Sequence, residues 1–387
     1  MADVNNNSDE SKSVSGQSNV GDQEPSRASG SDSSDNSKSD LSDWSSKHPR
    51  DVFALLEQLI KQTSFVWKNQ KPTVVTSEKL EKSNAISTFK ELLNEELANG
   101  CDEVSDNAAA KLECLGKMDM SEWQARVGMI IGVPGSGKTT LLKAMSEEVQ
   151  NSAIVLPNVG LLNTVYAGFK NAFTTDDLWC RPVDYAKYSV LLVDEFTECH
   201  MCELMCVACH VGAKNVILFG DHGQGRNYKQ GSEVYYNFPV LAESEDSKRL
   251  GSEIADFASK GMNHKMKGNG KESKVSLDDL LGQIDDMATV ICMTEATKNE
   301  LLQDEIEAKY VKDVQGQTYE VVSLVLYDSN DQEAICDHKL RTIAFTRASR
   351  LLQIKAESEI FAMITNADYG CKGMDAVTTG EGCKLTR

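Results

Sequence analysis

Nowhere in the 387 residues is there a run of eighteen apolar residues, and the chain is polar from Met1 onward. A membrane-spanning helix needs about 20 apolar residues, and a secretory leader needs an apolar stretch behind a basic start. Neither a direct membrane span nor a leader is expected. Paired cysteine spacing is missing too. Eleven scattered cysteines, an odd number, point to free thiols in a reducing compartment rather than a disulfide framework. Positive charge is also short, with 40 Lys and Arg against 59 Asp and Glu and a net charge of -19. Nucleic-acid affinity leans on Lys and Arg neutralising phosphates, so any such site here must be a local surface.

Composition divides the chain. Residues 1–46 hold nine acidic residues against three basic, a local charge of -6, and almost no large apolar side chain. Such a segment cannot bury enough apolar surface to offset its ordering entropy, which predicts a disordered, acidic, Ser-rich tail. From 47 to 120 a partly helical extension is expected. Leu55, Leu56, Leu59 and Ile60, then Phe89, Leu92, Leu93 and Leu97, fall at helical spacing. Between them Trp67, Lys68 and Lys71 mix aromatic and basic groups, which suits either single-stranded nucleic acid or a helical extension packed on the next domain. Short apolar runs follow at Val127–Ile131, Ile154–Leu156, Val190–Val193 and Val216–Phe219, and again at Thr289–Met293, Val321–Leu326 and Ile343–Phe345. Separated by helix-length segments, they predict parallel sheets with crossovers. The expected division is 121–240 for the first α/β domain, 241–367 for the second and 368–387 for a Gly-rich, flexible tail. The polar stretch 261–274 is read as a surface loop or insertion.

The pattern G-x-x-x-x-G-K-[ST] occurs at Gly132, Val133, Pro134, Gly135, Ser136, Gly137, Lys138 and Thr139, followed by Thr140. A strand-like run precedes it and a helix-like run follows. In that arrangement backbone N–H groups and a helix N-terminus face a triphosphate, Lys138 meets the β- and γ-phosphates, and the Thr139 hydroxyl serves Mg²⁺. Asp194 and Glu195 end the next-but-one run, about 55 residues on. A carboxylate there can hold Mg²⁺, and its neighbour can orient or deprotonate the attacking water. Gln224, after the run at 216–219, is placed to reach a γ-phosphate or its water. Arg249 and Arg347 are candidate cations from the second domain for transition-state charge. Cys199, Cys202, Cys206 and Cys209, with His200 and His210, suggest zinc at first sight. Their spacing instead draws one stripe on a helix, and free Cys behaves as a small buried hydrophobe, so a core helix without metal is expected.

In order, GVPGSGKT, VDE, FGDHGQ, SKRLG, DVQGQTY (Asp313–Tyr319) and AFTRA resemble the motifs of the viral superfamily 1 RNA helicases. The resemblance implies two RecA-like α/β domains, a P-loop NTPase core of the superfamily 1 type, behind the disordered extension. It implies ATP (or another NTP) and Mg²⁺ as cofactors. Lys138, Thr139, Asp194, Glu195, Gln224, Arg249 and Arg347 would form the nucleotide site, and Gly316, Gln317 and Thr318 would contact RNA or couple it to the nucleotide. The compact core and long extension resemble the triple gene block movement helicases of hordei-like and beny-like plant viruses. That implies an ATP-dependent RNA helicase bound to single-stranded viral RNA, small viral membrane movement proteins as partners, a capacity for self-association, and action in the host cytoplasm and at plasmodesmata. Extensions in that class are often basic, whereas this one is acidic. A viral replication helicase and an RNA-packaging protein with incidental NTPase activity remain as alternatives.

Overall fold

The computed structural model describes residues 85–99 and 102–366, apart from 121–122, 181–187, 222–233, 236–237, 261–264 and 281–283, together with residues 51 and 54 and short strands at 66–67 and 73–74. The tails expected at 1–46 and 368–387, the apolar positions at 55–60, Lys68, Lys71 and Gln224 lie outside the described residues.

The first sheet is built on β3 (Ala125–Gly132). Its order runs β1 (Val66–Trp67), β3, β7 (Asn215–Gly220), β6 (Val190–Val193), β4 (Ser152–Leu156), β5 (Ala172–Thr174), with β9 (Val240–Ser244) also paired to β3. All these pairings are parallel except β1 with β3. A separate two-strand ribbon joins β2 (Thr73–Val74) to β8 (Val234–Tyr235). On β3 the alternation of a strand shows directly: Val127, Met129 and Ile131 face one core cluster, Ile130 the other. One intervening strand, β7, separates the loop-bearing β3 from β6. This is a RecA-like sheet.

Two helices between β1 and β3 complete its core. From α1 (Ala85–Asn99) Phe89 and Leu93, and from α2 (Asp102–Gly116) Ala108 and Leu115, join the same cluster as Leu204 and Met205 of α6 (Met201–Val211). Phe89 stacks on Trp179 of α5 (Thr175–Cys180) at 5.9 Å. Lys111 Nζ joins Asp176 at 2.6 Å and Glu203 at 2.9 Å. Burial alone would lower this ammonium's pKa, but the two carboxylates raise it overall. The described helices of the extension are therefore part of the first domain's packing.

The second sheet runs β10 (Lys274–Asp279), β14 (Ala348–Ala356), β13 (Tyr319–Leu326), β11 (Thr289–Cys292), β12 (Lys309–Tyr310), all parallel. It is again RecA-like. Three expectations change here. The break at 240/241 falls at the start of β9, which belongs to the first sheet, so that sheet extends through Ser244. Lys274, assigned to a loop, opens β10. Ile343–Phe345, read as a strand, ends the helix α10 (His338–Phe345). Three apolar residues in a row cannot distinguish the two, whereas Arg341 N donates to the Asp337 carbonyl at 2.9 Å and Thr346 N to the Thr342 carbonyl at 3.2 Å, and the Asp337 side chain caps the helix by accepting from Lys339 N at 2.9 Å. Arg347 therefore stands in the turn before β14 instead of closing a strand.

Candidate nucleotide site

The phosphate loop leaves the carboxyl end of β3 and enters α3 (Lys138–Glu148) through Gly137, whose φ of 95° is left-handed. Gly135 also has positive φ, and a Cβ there would lie 2.6 Å from Arg249 Cβ and 2.7 Å from Ser247 Oγ. Only glycine fits both the turn and that close approach. The first N–H groups of α3 face the loop with no side-chain cap among the described residues, so they remain available to an anion. Lys138 Nζ donates to the carbonyls of Gly132 at 2.7 Å and Val133 at 3.3 Å, which bend the ammonium over the loop.

Asp194 and Glu195 sit just past β6. Thr139 Oγ1 donates to Asp194 Oδ2 at 3.0 Å, and Tyr166 Oη donates to the same oxygen at 2.5 Å. Asp194 Oδ1 accepts from Glu195 N at 3.1 Å. Burial raises the Asp194 pKa, while the Tyr166 hydrogen bond and the Lys138 charge oppose that rise. Glu195 has φ 47° and ψ 45°, a left-handed conformation that costs a non-glycine residue of order 1–3 kcal/mol. Its Oε2 is buried without a hydrogen-bond partner among the described residues. Burial, then the Asp194 charge, pushes its carboxyl up to about 7.

These groups meet in one cleft of ≈ 330 Å³. Pro134, Gly135, Gly137, Lys138, Thr139 and Thr140 line one wall with Glu195. Lys248, Arg249, Gly316 and Arg347 line the other. Ser136, within the loop, is buried. Arg249 donates to Thr318 Oγ1 at 2.7 Å and to the Thr346 carbonyl at 3.1 Å; burial and the charge of Arg347 lower it to about 9. Arg347 is 1% exposed. Its guanidinium donates to the carbonyls of Ile343, Val314 and Gln317 and to Thr346 Oγ1, and burial lowers it to about 10. Gln317 is not on this cleft. It donates to the Asp313 carbonyl at 3.0 Å and borders a second cleft with Lys298 and Lys309.

The donor set fits the cofactors expected. Thr139 and Asp194 offer hard oxygens 3.0 Å apart, suited to Mg²⁺, beside a cationic, glycine-built cradle for phosphates. Sequence reading missed Ser247, Lys248 and Tyr166. Ser247 Oγ donates to the Pro134 carbonyl at 2.7 Å and Lys248 N to the Gly135 carbonyl at 2.9 Å, so the connection to the second domain grips the phosphate loop. Their neighbour Arg249 was the available signal; Tyr166 had none. In the Cys stripe, Cys202 and Cys206 are fully buried on α6, while Cys199 precedes that helix. His200 accepts from Cys202 N at 3.2 Å as its N-cap.

Two largely parallel α/β sheets, a phosphate loop on the first, an acidic pair one strand away, and Arg249 and Arg347 across the cleft define a P-loop nucleotide-binding protein. The chain belongs to the viral superfamily 1 RNA helicase family, whose core domain matches residues 128–356. It is similar to the movement protein TGB1 of beet necrotic yellow vein virus (isolate Japan/S), 41% identical over 346 residues, 88% of this chain and 90% of that protein. It is also similar to the movement protein TGB1 of peanut clump virus (isolate 87/TGTA2), 35% identical over 254 residues, 66% of this chain and 56% of that one. A solved PRRSV helicase shares 19% identity at a TM-score of 0.46, over 60% of this chain and 52% of its own.

Proposed function

We propose that this chain is an NTP-driven RNA helicase that binds single-stranded viral RNA and supports its movement between plant cells. One observation carries the reading: the phosphate loop, Glu195, Arg249 and Arg347 line a single cleft. In it, the N–H groups of α3 and Lys138 bind the triphosphate of ATP or another NTP. Mg²⁺, held by Thr139 and Asp194, would offset phosphate charge. Glu195 orients and deprotonates the attacking water, and Gln224 assists from the segment after β7. Arg249 supplies positive charge where negative charge develops, with Arg347 holding the wall on which it rests. Gly316 and Thr318 lie beside Arg249, and Gln317 faces the neighbouring cleft; together they relay RNA contact to the nucleotide. The names of the similar proteins support the movement role. With it come small viral membrane movement proteins as partners, self-association, and a place in the host cytoplasm and at plasmodesmata.

The test is Lys138→Ala. Nucleotide hydrolysis should fall by at least about a hundredfold, the scale of losing one transition-state donor, with the fold retained. Wild-type rates from a mutant with an unchanged far-UV spectrum would overturn the assignment.

A further inference from the structure

Tyr166 follows the short helix α4 (Val159–Thr164) and is fully buried. Its ring is fixed on several sides. Phe169 meets it edge-on at 5.8 Å, and Lys143 Nζ lies 5.1 Å from the ring centroid while donating to the Val165 carbonyl. A phenylalanine would fill this space equally well, so packing does not explain the hydroxyl. That hydroxyl reaches Asp194 Oδ2, the oxygen that also accepts from Thr139. Thr139 is itself suited to serve the metal, which would leave the phenol to hold Oδ2 in place.

The other end of the link reaches the second domain. Tyr166 N donates to the Leu161 carbonyl on α4 at 3.0 Å. Leu161 packs against Gly316, where φ is +78° and an added Cβ would come within 2.9 Å of Leu161 Cδ2. From Gly316 a continuous path of contacts therefore passes through α4 and Tyr166 to Asp194. We propose that Tyr166 is a positioning residue, fixing the metal-side carboxylate Asp194 and tying it to α4 and so to the second domain's Gly316 turn. This rests on the nucleotide-site reading above. Hydrogen-bonding partners behind a metal ligand commonly matter about 10–100-fold in metal affinity or activity.

The experiment compares Tyr166→Phe with wild-type full chain in two binding measurements besides hydrolysis. ADP affinity in EDTA should be unchanged within about twofold, because the phosphate loop does not use the phenol. Mn²⁺ affinity of the protein–ADP complex, followed by the paramagnetic resonance of free Mn²⁺, should weaken by about tenfold. Unchanged Mn²⁺ affinity in the folded variant overturns the proposal. Loss of ADP affinity in EDTA also overturns it, since the hydroxyl would then be structural. Leu161→Ala keeps the phenol and loosens α4; it should weaken Mn²⁺ binding by about threefold, a partial loss of the same support, and no change removes the link to α4. If wild-type protein binds nucleotide and metal yet never hydrolyses it, the proposed function fails while the Tyr166 result stands on its own.

Discussion

At the scale of single residues, Glu195 combines three departures from an ordinary setting. It holds a left-handed backbone, a buried oxygen without a hydrogen-bond partner among the described residues and a carboxyl raised to about 7. A base works only when ionised, so hydrolysis should rise with pH, kcat/KM climbing through an apparent pKa near 7. Glu195→Gln should lower turnover by about 10²–10⁴-fold and remove that limb; a mutant retaining both would displace Glu195 from the role. Stability carries the opposite sign. The folded state holds a proton that the unfolded chain releases from about 4.5 upward, so ionising Glu195 costs stability as pH rises toward 7. Thermal melts of Glu195→Gln should show a shallower decline over that window. The phosphate loop was legible because one contiguous run carries its chemistry, and Asp194 because a strand end announced it. Tyr166 was not legible, since its partner lies 28 positions away and only the folded path through α4 joins them.

At the scale of elements, the turn between α10 and β14 depends on Arg347. Its donors gather the carbonyls of Val314 and Gln317 on one side and Ile343 on the other, joining the Gly316 turn to α10. Arg347→Ala should therefore lower the melting temperature as well as turnover, each abandoned buried carbonyl costing about 1–3 kcal/mol. Arg347→Lys should rescue little, because one ammonium cannot reproduce the planar fork. Arg249→Ala should lose turnover by up to a thousandfold or so, the scale of an arginine finger, with a smaller change in melting. Calorimetry and turnover on the same three variants separate the roles; equal melting for all would sink this division. Elements with long apolar runs were read correctly from sequence. α10 was not, because its Ile343–Phe345 run is too short to reveal a period, and β10 was not, because its exposed polar ends hid it.

At the scale of the whole molecule, charge sets a further expectation. Deleting residues 1–46 removes a charge of -6 and almost no large apolar side chain, so ATPase activity should persist. RNA affinity across a salt series should hold or rise, and abolished binding would show that the acidic segment itself serves RNA. A cut at residue 99 tests something else, because it removes Phe89 and Leu93 from the first core. The two-sheet architecture was legible from alternating runs; the boundary was not, since β9 returns to β3 after the runs pause. That return has a consequence for biogenesis. A ribosome delivers about 5–20 residues each second from the N-terminus, and β3 keeps one flank bare near its loop until Ser244 has emerged. Ser247 follows at once and fastens the loop by donating to the Pro134 carbonyl. Synthesis thus sets the loop before Arg347 exists, and the growing chain carries a cleft that lacks Gly316 and Arg347 until its last strands are made.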